Sequence, residues 1–101
     1  MKGTKSGPMT QEAAEEIATS ALSYLAQNPE YLGRFLSLAG IGPSEIREAA
    51  QEPGFLAGVL EFYMQDEQLL LAFTETQGHR PTMLAAAHLT LAGGVDYFAG
   101  A

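Results

Sequence analysis

Apolar residues recur along this chain at the spacing of a helical face, and the interruptions between the stripes fall on residues that start or stop helices. Ala14, Ile17, Ala18, Ala21, Leu22 and Leu25 follow the i, i+3, i+4, i+7 pattern. Glu12, Glu15, Glu16, Thr19, Ser20 and Ser23 take the opposite side. Thr10 is placed to cap this first helix, and the acids of its first turn oppose the positive end of the helix dipole. Asn28-Pro29 then ends it and begins a second, with Asn28 as N-cap and Pro29 at the first helical position, where its missing N–H costs nothing. Leu32, Phe35, Leu36 and Ala39 form the inward stripe of that second helix, flanked by Tyr31 and Leu38. Gly40 closes it in the left-handed conformation, and Ile41 supplies the hydrophobic contact of such a cap.

Gly42-Pro43 opens a third helix through about Ala50, with Ile46, Ala49 and Ala50 pointing inward. Pro53 starts a fourth, whose wide stripe of Phe55, Leu56, Val59, Leu60, Tyr63 and Met64, extended by Phe62, marks it as the central helix. The polar run Gln65-Asp66-Glu67-Gln68 interrupts the stripe, and Asp66 caps a fifth helix bearing Leu69, Leu70 and Phe73 that ends at Gly78. A sixth runs from about Thr82 to Leu91 with Leu84, Ala87, His88 and Leu91 on one face. Gly93-Gly94 breaks it and leaves Val95 to Ala99 as a short segment with two aromatics. No stretch alternates with period two for long enough to make a strand. The expected fold is therefore all-α, an irregular compact bundle of five to six short helices. Its single domain spans residues 10–92, between a flexible leader at 1–9 and a C-terminal tail at 93–101.

Composition changes this picture mainly by exclusion. A chain of 101 residues, 47% hydrophobic, can bury one core without disulfides or metals, and it contains no cysteine. Net charge is −7, and beyond Thr10 all twelve acids face only Arg34, Arg47 and Arg80. Such a body repels phosphate, so nucleic acid is not an expected partner. Lys2 and Lys5 precede no apolar stretch, and the longest apolar run, Leu69 to Phe73, is far below the roughly 20 residues that span a bilayer. The expectation is a cytoplasmic protein with no membrane role.

Candidate chemistry is sparse. His79 and His88 lie in different elements, and neither has a second ligand three or four residues away, the spacing that a helical metal site requires. Glu12/Glu15/Glu16 and Glu45/Glu48/Glu52 have helical spacing, but solvated outer faces explain them. Gly40-Ile41-Gly42-Pro43-Ser44 lacks the lysine and preceding strand of a phosphate loop. No serine or threonine sits in a strand-turn-helix elbow, and no lysine follows Lys5. The expectation is a protein that is not an enzyme and carries no cofactor and no metal. Residues 32–51 have the outline of a helix-turn-helix around Gly40, with Ile46 packing between the helices. Ser44, Glu45, Glu48 and Gln51 would nonetheless meet phosphate with the wrong sign. Arg34, a cation on a strongly apolar helix, is expected to pair internally with Asp66 or Glu67.

Leu32-Gly33-Arg34-Phe35-Leu36, Pro53-Gly54-Phe55-Leu56, Val59-Leu60-Glu61-Phe62 and Asp66-Glu67 together resemble the alphaproteobacterial domain of unknown function 3572, over roughly residues 10 to 92. The resemblance implies a stand-alone helical protein and brings no activity, cofactor or catalytic residue. The chain departs from that family's pattern at Leu91-Ala92, where a proline usually precedes the double glycine.

The leading expectation from the residues is a protein-binding module. Its apolar surface would include Tyr31, Arg34, Phe62, Tyr63, Met64, Asp66, Tyr97 and Phe98, meeting an unidentified protein partner or a second copy of the chain. Set against it, these side chains simply complete the monomer's core. A DNA-binding regulator built on residues 32–51 is a second possible function, and a small-ligand domain with its pocket near His88 and Asp66 is a third.

Overall fold

In the computed structural model, which describes residues 9–92, the first helix, α1 (Gln11–Ala26), starts where the Thr10 hydroxyl accepts the Ala13 N–H at 3.1 Å. Its inward stripe of Ala14, Ile17, Ala18, Ala21, Leu22 and Leu25 is buried throughout. Asn28 is the N-cap residue of the next helix, as expected, but its side chain makes no capping hydrogen bond there. Its side-chain Nδ2 donates instead to the Tyr24 carbonyl at 2.7 Å, an acceptor in the last turn of α1 that it shares with the Gln27 N–H.

Helix α2 (Pro29–Ala39) has Pro29 at its first position and buries Phe35 and Leu36, with Leu32 half-buried. Ala39, expected inward, is exposed because the end of α2 runs past the core. Gly40 closes the helix at φ 75°, in the left-handed region, and both Gly40 and Ile41 donate to the Leu36 carbonyl. The single third helix expected from the spacing is two pieces, a 3-10 turn at Pro43–Glu45 and a one-turn helix α3 (Ile46–Ala49). Pro43 and the Glu45 carboxylate, which accepts the Gly42 N–H at 2.8 Å, hold the tighter turn. A four-residue helix rises only about 6 Å, too short to lie in a major groove, so residues 32–51 do not supply the recognition helix of a helix-turn-helix.

Helix α4 (Pro53–Met64) is the central element, in contact with α1, α2, α5 (Glu67–Gln77) and α6 (Pro81–Leu91). Asp66 caps α5 through its Oδ1, which accepts the Leu69 N–H at 3.1 Å, and Gly78 ends that helix at φ 74°. All six helices of the described residues close on one core. Two aromatic groups bind it. Phe35 meets Phe55 and Phe62 edge-on at 5.5 and 5.4 Å, locking α2 to α4. Phe73 meets Tyr24 at 5.5 Å and Tyr63 at 5.0 Å, joining α1, α4 and α5.

This arrangement corrects part of the expected interface. Tyr63 is wholly buried and Phe62 nearly so. Both complete the core, because α4 has neighbours on almost every side. The leader and tail lie largely outside the described residues; Met9, assigned to the leader, is half-buried against the core.

Candidate functional site

Three of the expected surface residues do come together. The α4–α5 turn brings Asp66 against the outer side of α2, where its Oδ2 accepts a hydrogen bond from Arg34 Nη1 at 3.2 Å. The other oxygen of the same carboxylate caps α5, so one side chain fixes both a helix start and a cation. Arg34 Cζ lies 5.1 Å from the centroid of the Tyr31 ring, three residues back on the same helix face. The guanidinium is thus held from two directions while about half its surface remains in solvent. Of its five N–H donors, only the one facing Asp66 has a protein partner among the described residues.

Leu38, four residues after Arg34, is 72% exposed. It shares an edge of α2 with Tyr31, seven residues earlier, and its angular offset from the Phe35–Leu36 stripe is the signal that sets it outside. Met64, the last residue of α4, is exposed two positions before Asp66. Tyr97 and Phe98 lie outside the described residues. Two more leucines are exposed, Leu71 on α5 and Leu89 on α6, and helical spacing alone did not single them out.

The remaining candidates stay apart from this cluster. His79 is half-buried and tilted against Phe73 at 5.6 Å, and His88 is half-buried on α6. Glu12, Glu15, Glu16, Thr19 and Ser20 line an open groove of about 510 Å³ along α1, which includes neither His88 nor Asp66. No cluster of three metal-ligating side chains occurs among the described residues. No described helix is long and apolar enough to cross a membrane.

Residues 11–94 match the family described as Protein of unknown function (DUF3572). The chain belongs to that family. No curated protein matches it, and no solved structure does. The matched segment holds all six helices of the described residues of this DUF3572 chain, and with them both partners of the Arg34–Asp66 pair. Membership brings a fold-length match and no activity, so the function of this DUF3572 protein is unknown and has to be argued from its surface.

Proposed function

We propose that this DUF3572 chain is a non-catalytic protein-binding module that meets its partner on the outer face of α2 and the adjoining α4–α5 turn. The observation that carries the reading is the held but half-exposed Arg34, clamped by Asp66 and Tyr31 beside the exposed Leu38. Tyrosine and arginine dominate the energetic centres of protein interfaces. An arginine already oriented loses less rotamer entropy when bound than a free one. Its donors without a partner among the described residues and the neighbouring leucine fit a partner that presents a carboxylate next to an apolar side chain.

Capture from native extract at physiological salt, with nuclease treatment, tests this. The expected result is a stoichiometric protein that survives nuclease and is lost on both Leu38→Glu and Arg34→Ala, with helical circular dichroism unchanged. A partner retained by both variants, or no protein captured at micromolar concentration, overturns the reading. A cytoplasmic site of action belongs to the same proposal and is read by fractionating the native cell.

A further inference from the structure

Between Ala26 and Phe55 the chain contributes little to the core. Only Phe35 and Leu36 are buried in that stretch, whereas α1 and α4 each bury six side chains. Tyr31, Leu32, Ile41, Ile46 and Ala50 are only partly covered. Away from its two ends, where Pro29 and Pro53 each start a helix, one side-chain hydrogen bond ties this stretch to the rest of the described residues. It is the half-exposed Arg34–Asp66 pair at 3.2 Å. Helix α5 is also peripheral but is anchored more deeply, through the wholly buried Phe73 and its contacts with Tyr24 and Tyr63.

We propose that residues 29–52 form a releasable cover, a unit that opens while α1, α4 and α6 stay packed, and that its opening uncovers the Phe55 and Phe62 rings on α4. Phe35 is the peg that holds the cover shut, since its ring meets both of those rings edge-on. The free energy of a local opening rises with the apolar surface it returns to water. Two buried side chains therefore set the opening of this segment well below the cost of parting α1, α4 and α6. Once Phe35 leaves its place, α2 does not hold itself together: its eleven residues fall short of the roughly 12–15 at which an isolated helix is even marginal in water. Helix α3 is a single turn. Opening is thus an unfolding of the segment and not a rigid swing. It stops at the two prolines, because the Asn28 bond to the Tyr24 carbonyl belongs to the end of α1 and α4 begins at Pro53. The open form presents an aromatic face of α4 that the closed form hides. This cover does not depend on the binding face proposed for α2, and the two readings fail separately.

Native-state amide hydrogen exchange of the full chain in low urea decides the matter. The interior amides of α2, Phe35 to Leu38, are expected to exchange through one shared opening, at least about tenfold more readily than Val59 and Leu60 of α4. That opening should depend on urea, but less steeply than global unfolding, because it exposes less surface. Leu84→Val supplies the second readout. Leu84 is wholly buried on α6, which packs against α1 and α4, so the substitution weakens the closed and the open form alike. It should speed exchange at Val59 and Leu60 and leave the α2 amides at their wild-type rates. Amides of α2 that share the protection and urea dependence of α4 overturn the inference, as do α2 amides that exchange with no urea dependence. An acceleration of the α2 amides by Leu84→Val equal to that at Val59 and Leu60 overturns it too.

Discussion

Tyr63 carries a hydroxyl into the deepest part of the molecule, where it donates to the Ala21 carbonyl on α1 at 2.6 Å. Burial pushes the ionisation of this hydroxyl far above the ordinary tyrosine value, and the nearby Tyr24 adds to the effect. The fold therefore favours the neutral phenol. Its contribution to stability is intact below the unfolded value of about pH 10 and is lost as pH rises beyond it. Tyr63→Phe should cost roughly 1 kcal/mol at neutral pH by urea denaturation, and it should flatten the alkaline fall in stability that the wild type shows. The Arg34–Asp66 pair calls for a different magnitude. Because Arg34 is 54% exposed, a double-mutant cycle with Arg34→Ala and Asp66→Asn should return a coupling of about 0.2–1 kcal/mol that shrinks with salt. Asp66→Ala, which also removes the cap of α5, should cost about 1 kcal/mol by itself.

Helix punctuation explains which elements were readable from the sequence. Thr10, Asp66, Gly40 and Gly78 each act through hydrogen bonds within a few residues, so local spacing suffices to place them. The Asn28 side chain and the 43–49 segment departed from expectation for one reason, namely that two local solutions compete and the sequence does not rank them. An asparagine before proline can cap forward or close backward, and the stretch around Ile46 can wind as one helix or as a 3-10 turn followed by a single α turn. Glycines separate the elements experimentally. Gly40→Ala and Gly78→Ala force a side chain into the left-handed region and should each destabilise by about 1 kcal/mol. Gly58→Ala lies inside α4, and its added Cβ meets nothing within 4 Å, so it should stabilise by roughly 0.5–1 kcal/mol, and thermal melts of the three variants read both directions.

At the scale of the whole molecule, composition announced one core, and periodicity nominated most of the residues that fill it. The division between core and surface among the aromatics was not legible. Phe62 and Tyr63 follow Glu61 in a helix whose neighbours are set by tertiary packing, and only the observed contacts of α4 with four other helices bury both. An internal pair for Arg34 was legible, with Asp66 or Glu67 as its partner, because these were the conspicuous charges beside long apolar stripes, and the structure selects Asp66. Phe73→Ala, which removes the ring shared by Tyr24, Tyr63 and His79, should cost about 3–5 kcal/mol. Leu38→Ala, on the exposed edge of α2, should stay within about 0.5 kcal/mol of wild type. The packing of α1 against α6 joins the two ends of the described chain. A ribosome releasing this protein therefore extrudes α1 and α4 well before the helix that covers their apolar faces. Until residue 91 has left the exit tunnel, the nascent chain has an unfilled slot shaped for α6, and chaperones have that interval in which to engage it.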